Sequence, residues 1–263
     1  MKPADILKTN LPPIILVYGP SGTGKTALVS QANNAYCFDF DRGMLTAAKL
    51  QDKFFNQRQG IEFDTYLDDD VKNPTAFHAA KMKLMQISGQ IKAKTFPHDA
   101  IVIDSMTGLA QAIMMKVMKD NKTDGTAEPE RNHWGSMVNY MRGFMTQLRC
   151  LKKLVLITAH LQTIEDDKGQ LMAMLPSSIT RNHGAKDLPW CVDEMWYASI
   201  VPAGQNKYDY CVSGCPINKI TTCSRSSIGK VKHSEVGLIK LLEMVGYHYG
   251  KDDSGTVPNN NKS

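Results

Sequence analysis

Eight consecutive residues, Gly19-Pro20-Ser21-Gly22-Thr23-Gly24-Lys25-Thr26, carry the strongest chemical signal in the chain. They fill every required place of the G-x-x-x-x-G-K-[ST] pattern, after an apolar run and before a helical one. Glycines let the backbone turn until several N–H groups face one concavity, and a helix N-terminus behind them adds positive potential. In such a loop Lys25 reaches the β- and γ-phosphates of a nucleoside triphosphate and the Thr26 hydroxyl ligates Mg²⁺. The expected ligands are therefore ATP and Mg²⁺. No Asn-Lys-x-Asp motif that would read guanine is visible. The competing reading is a glycine-rich turn with a chance lysine.

Three further groups fit the same chemistry. Ile101-Val102-Ile103-Asp104 is an apolar run ending in an aspartate, where ligands of a parallel sheet gather. Asp104 is expected to hold Mg²⁺ through water, to cap the helix that follows, or both. No glutamate follows Asp104, where many P-loop ATPases place a catalytic carboxylate. The nearest substitute is Phe38-Asp39-Phe40-Asp41-Arg42-Gly43. Alternation puts Asp39 and Asp41 on one side, with Asp41 nearer the tip, able to orient the attacking water or to pair with Arg42. His160 ends the apolar run 154–159, where it is either structural or a hydrogen-bond partner of the γ-phosphate that reports its loss to the loop beyond.

The elements that must position these residues are legible as periodicity. Strands are expected over 14–18, 36–40, 61–67, 100–104 and 154–159, and helices over 25–33, 75–92, 106–119 and 136–152. Strand–helix alternation with fully apolar strands means a mostly parallel sheet covered on both faces. After residue 190 the pattern changes to strand-like segments at 194–201, 207–213 and 219–225, which predict a C-terminal antiparallel extension of the same sheet. Two polar stretches, 120–133 and 162–189, are long for connections in a compact domain. Residues 1–250 read as a single domain and 251–263 as a disordered polar tail.

With 263 residues, 42% of them hydrophobic, one sizeable core is attainable. No apolar run is long enough for a membrane span and the first ten residues hold no signal-length apolar segment, so the expected location is the cytoplasm. The net charge of +5 permits an anionic partner without demanding one. Cys211, Cys215 and Cys223, with His233 following, could form a zinc site, but their spacing fits no common pattern and strand alternation explains them as well. The methionines at 106, 114, 115, 118, 137, 141 and 145 read as helix packing.

Taken in order, GPSGTGKT, FDFDRG, IVIDSMTGL, HWG, LVLITAHL and TCSRS make residues 12–230 resemble the RecA-like P-loop ATPases encoded by bacteriophages, a group with nucleotide-binding or AAA-family names. Some of that group act as single-strand annealing proteins in phage recombination. The resemblance implies a RecA-like core in which another strand separates the P-loop strand from the Asp104 strand. It places the catalytic carboxylate on Asp41, where relatives carry the longer glutamate, so strong hydrolysis is in question. It places the γ-phosphate switch on His160, and on Arg225 a basic residue that reaches a neighbouring subunit's nucleotide, with Lys230 behind it. DNA in such proteins is held by the loops that correspond to the two polar stretches. These offer Lys122, Arg131 and Trp134 in the first and Lys168, Arg181 and Lys186 in the second. Acidic neighbours in both loops weaken that groove, and Trp134 is equally readable as a core anchor. The expected partners are single-stranded DNA, further copies of the chain in a ring or filament, and a single-strand-binding protein; for a phage protein the location is the host cytoplasm. Three alternatives remain: a helicase-type motor, a nucleotide switch with vestigial hydrolysis and, least supported, a small-molecule kinase.

Overall fold

A computed structural model of the chain describes residues 11–45, 60–123, 125–166, 168–177, 191–205, 207–216, 219–224, 226 and 228–249. The strands are β1 (Ile14–Gly19), β2 (Ala35–Asp39), β3 (Glu62–Thr65), β4 (Ala100–Asp104), β5 (Leu154–Glu165), β6 (Leu171–Ser177), β7 (Glu194–Pro202), β8 (Tyr208–Ser213), β9 (Cys223–Ser224) and β10 (Val231–Lys232). The helices are α1 (Lys25–Val29), α2 (Ala76–Lys92), α3 (Met106–Asp120), α4 (Arg131–Cys150) and α5 (His233–Met244).

Every position of β1, β2 and β4 is buried, which requires helices on both faces of the sheet. Alternation then divides each strand between two cores. Leu16, Tyr18, Tyr36, Phe38, Ile101, Ile103, Val155 and Ile157 meet α2, α3 and α4 on one face. Ile15, Val17, Cys37, Val102, Leu154 and Leu156 meet α1 and α5 on the other. The result is a three-layer α/β fold around a mostly parallel central sheet.

The sheet runs β10-β8-β7-β1-β5-β4-β2-β3, with β6 added beside β5 and β9 beside β7. β5 therefore lies between the P-loop strand β1 and the Asp104 strand β4. From β7 to β3 every neighbouring pair on this path is parallel. The antiparallel part begins one strand later than expected. β7 continues the parallel core beside β1, and the antiparallel pairs of the C-terminal part are β7–β8, β8–β10 and the short β7–β9.

Local chemistry explains the other departures. α1 stops at Val29, short of residue 33, because Asn33-Asn34 is a poor helix continuation and Asn34 takes φ 54°. α4 starts at Arg131, ahead of the expected 136. Its start is fixed by a reciprocal cap in which Glu130 and His133 each bond the other's backbone N–H. β5 passes its apolar part and continues to Glu165, then turns on Asp166, whose Oδ1 accepts from Lys168 N at 2.9 Å and Gln170 N at 2.7 Å. The first part of the second polar stretch is thus the arm of a β-hairpin. The segment expected as a strand over 219–225 contributes the two-residue β9 and a single bridge from Ile220 to Met174. α5 has no counterpart among the sequence expectations. Of the methionines read as helix packing, Met106, Met114, Met118, Met137, Met141 and Met145 are buried.

Among the described residues no helix is long and apolar enough to cross a membrane. The tail 251–263 lies outside the described residues.

Phe144 joins the layers of the larger core: it is 2% exposed, and its ring lies 6.2 Å from that of Phe38 and 6.3 Å from that of Phe77. Phe144→Ala is expected to lower unfolding free energy by about 3–5 kcal/mol, measured by urea titration, because the surrounding sheet and helices cannot collapse onto the void. A loss under about 1 kcal/mol would contradict the packing described.

Candidate functional site

Parallel pairing brings the chemistry together. In the β1–β5 ladder Gly19 lies opposite His160, and in the β2–β4 ladder Asp39 lies opposite Asp104. Three strand tips, Gly19, Asp39 and Asp104, therefore come together with His160, which lies within β5, where a parallel architecture gathers ligands.

The loop Gly19–Thr26 wraps this edge. Gly22 and Gly24 both take φ 79°, a left-handed conformation that a β-carbon disfavours. The Lys25 ammonium donates to Gly19 O at 2.9 Å and Pro20 O at 2.7 Å, lying along the inner side of the loop. Burial lowers its pKa, opposed by the charges of Asp104 and Asp41. Thr23 Oγ1 donates to Pro20 O at 2.9 Å and braces the turn, while Ser21 and Gly22 form its exposed crest.

Asp104 is 3% exposed at the tip of β4. Its carboxylate accepts from Thr26 Oγ1, 3.0 Å from Oδ2, and from the Thr158 hydroxyl of β5. Burial pushes this carboxyl above the usual range, against the hydroxyl bonds, and the charges of Asp41 and Asp39 push the same way. A β-carbon on Gly43 would collide with Asp104 Oδ2, so only glycine lets the loop after β2 close over this carboxylate. Helix capping at this point falls to Ser105, whose Oγ accepts from Gly108 N at 3.1 Å. Asp104 is thereby free for a different task. A hydroxyl and a carboxylate converging at 3.0 Å are the hard oxygen donors that Mg²⁺ takes, so the residues fit that ion.

Asp39 and Asp41 divide the labour at the tip of β2. Asp39 is fully buried, and its Oδ1 accepts from Asp41 N at 3.2 Å and Gly43 N at 3.0 Å, fixing the turn. Asp41 Oδ2 lies 3.3 Å from His160 Nε2, so its side-chain partner is His160 rather than Arg42. Burial pushes the Asp41 carboxyl up, but bonds from His160 and Ser105 and the charges of His160 and Lys25 outweigh it, and the net shift is downward. The backbone of His160 is held as well: its N–H donates to Thr107 Oγ1 at 3.0 Å, and that hydroxyl donates to Ser177 O at 2.6 Å. The end of β6 is thus tied to the histidine.

Two residues behind the loop were not among those the sequence assigned to phosphate chemistry. His233, the first residue of α5, is buried with Nε2 3.4 Å from Thr23 O. Burial lowers its pKa, opposed by that bond. It packs against the loop. Tyr210 of β8 stands beside it, with ring centroids 6.1 Å apart. Both meet the loop only because the chain returns there some two hundred residues later, which no local pattern reports. Among the described residues no group of three or more His, Cys, Asp or Glu side chains is placed to hold a metal ion.

Lys122, Arg131 and Lys168 are exposed, and Trp134 is partly buried against the core. Arg225, Arg181 and Lys186 lie outside the described residues, although the neighbours of Arg225 are held on β7. There β9 pairs with Glu194 and Met195, and the Glu194 carboxylate accepts from Ser226 Oγ at 2.9 Å.

No curated protein matches the sequence. Among solved structures the chain is similar to a KaiC-like protein of the hyperthermophilic archaeon Pyrococcus horikoshii OT3. The two are 14% identical, the match covers 85% of this chain and 92% of that one, and the TM-score is 0.45. The model of a protein family described as AAA domain matches residues 11–226. That span holds the loop of residues 19–26, Asp41, Asp104 and His160, and with most of its length inside the match the chain belongs to the AAA domain family.

Proposed function

We propose that the protein is an ATPase that works on single-stranded DNA in phage recombination, by annealing or strand pairing. The observation that carries the ATPase reading is the convergence of Lys25, Thr26 and Asp104 with the Asp41–His160 pair at one sheet edge. The glycine loop and Lys25 would bind the phosphate chain. Thr26 and Asp104 would hold Mg²⁺, which when bound draws charge from the β- and γ-phosphate oxygens. Asp41, with its carboxyl held down and ionised at neutral pH, is the group suited to orient a water and take its proton. The bond to His160 positions that carboxylate, and through Thr107 and Ser177 it joins the site to the hairpin.

The DNA part of this reading is supported by where the polar segments lie. Gly125 packs on Val71, in the connection that follows β3, so the segment after α3 lies toward the C-terminal end of the sheet. The β5–β6 hairpin leaves the same end. Lys122, Arg131 and Lys168 would meet phosphates there, with Arg181 and Lys186 on the continuation beyond β6. Action as a homo-oligomer, with Arg225 reaching a neighbour's nucleotide and a single-strand-binding protein as partner, belongs to the same proposal. One observation favours a second reading, a nucleotide switch with slow hydrolysis: the catalytic candidate is an aspartate already engaged by His160 at 3.3 Å.

Steady-state ATP hydrolysis with and without single-stranded DNA tests the proposal. Stimulated turnover that Lys25→Ala abolishes is the expected result. Turnover indifferent to DNA, or tight ATP binding without turnover, would instead favour the switch. Asp104→Asn is expected to lower Mg²⁺-dependent ATP affinity at least 10-fold, about 1.4 kcal/mol, in titration calorimetry. It is also expected to leave the urea midpoint at pH 7 equal to wild type or higher. Because burial raises the folded pKa of Asp104, the folded protein keeps that proton to a higher pH than the unfolded chain. Its ionisation then costs stability as pH rises from the ordinary carboxylate range through the raised value, a cost the amide escapes. A midpoint clearly below wild type would show that the carboxylate serves the fold rather than the ligand.

A further inference from the structure

Topology sets the direction in which a bound nucleotide must lie. β1 has β5 on one side and β7 on the other. Asp104, Asp41 and His160, the groups assigned to the γ-phosphate and the metal, all stand on the β5 side. A triphosphate threaded along the loop with its γ end among them must carry its nucleoside toward β7 and β8.

The surface on that side is apolar and built from sheet pairing. Ile200 lies directly opposite Tyr210 in the β7–β8 ladder, so the two share a face, and Tyr208, two residues from Tyr210, shares it as well. Further down the same face, Ala198 and Val212 are buried in the core beneath α1 and α5. Toward the sheet edge the burial stops: Ile200 is 39%, Tyr210 36% and Tyr208 61% exposed. Tyr210 is also in contact with the phosphate loop. Its Cδ1 lies 3.3 Å from the position a β-carbon would take on Gly24, while the His233 ring packs edge-on against it from behind. A rigid aromatic ring is thus fixed at the loop with an apolar shelf running outward from it.

We propose that Tyr210, with Ile200 and Tyr208, forms the subsite for the base of the bound nucleotide, Tyr210 supplying the stacking face. The inference rests on the P-loop reading above. The group recognised is the flat π-face of the base rather than its hydrogen-bonding edge. Purine nucleotides, with the larger face, therefore bind better than pyrimidine ones, and adenine and guanine are weakly distinguished. Lys232, which pairs with Asp209 at 2.8 Å, lies in the neighbouring strand and is engaged elsewhere.

Calorimetric titration of wild type, Tyr210→Ala, Tyr210→Phe and Lys25→Ala with Mg-ATP and with Mg-tripolyphosphate, which has the phosphate chain and no base, tests the subsite. Stacking of a base on an aromatic side chain contributes enough that Tyr210→Ala should weaken ATP roughly 10-fold or more. Tyr210→Phe should bind ATP like wild type, and tripolyphosphate should bind both Tyr210 variants unchanged. ATP binding equal in Tyr210→Ala and wild type would overturn the proposal. So would a parallel loss of tripolyphosphate, since Tyr210 would then only support the loop. Failure of the underlying P-loop reading looks different: wild type would bind neither ligand, or Lys25→Ala would bind both as wild type does, and the subsite would fall with it.

Discussion

The buried carboxylate of Asp104 is the joint on which the rest of the site depends. It accepts hydroxyl bonds from Thr26, the first turn after the glycine loop, and from Thr158 of the neighbouring strand, and the loop after β2 closes over it at Gly43. Three segments far apart in sequence are thereby held to one anionic group. Burial makes ionisation of that group unfavourable, and two other aspartates nearby add to the cost. A protein concerned only with stability would place an apolar residue there; a buried carboxylate with two hydroxyl partners suits a cation.

The turn after β2 shows how a second carboxylate is kept apart from the first. Asp39 Oδ1 is engaged by backbone N–H groups, and the turn it fixes presents Asp41 to His160. The two aspartates are separated by one residue and have opposite shifts. Asp39 is raised by burial in spite of its backbone bonds, whereas Asp41 is lowered because hydrogen bonds and cationic neighbours outweigh its burial. Environment assigns different work to the same side chain. The histidine is in turn held through its backbone by Thr107, which also grips the end of β6. A displacement of His160 therefore has a direct mechanical route into the hairpin.

Behind the loop the C-terminal part of the chain supplies a rigid backing. Gln31 Oε1 accepts from Leu238 N at 2.7 Å, and the Tyr249 hydroxyl donates to Asn33 O, so α5 and the segment after it are fastened to the turn that follows the P-loop helix. His233 and Tyr210 then close against Gly24. A short helix of five residues could not hold the loop by its own hydrogen bonds, and tertiary packing takes that role.

The phosphate loop, the Asp104 strand and the parallel core were legible in the sequence because each is a local pattern. Glycine spacing and apolar runs with a polar tip are written within a few residues of one another. The presence of β5 between β1 and β4 was legible only through family resemblance, since strand order leaves no local trace. Partnerships were not legible at all. Asp41 could face Arg42, its neighbour in sequence, or His160, and only the ladder register that sets β2 and β5 at one edge decided for His160. The extent of β5 into the polar stretch and the early start of α4 leave no local pattern, because pairing with β6 and the Glu130–His133 cap override weak propensity. The sequence determined which residue types were available for phosphate chemistry and on which elements they sit. The tertiary structure decided which of them meet, and placed His233 and Tyr210 behind the loop, because contacts across two hundred residues are set by sheet topology and core packing rather than by any local period.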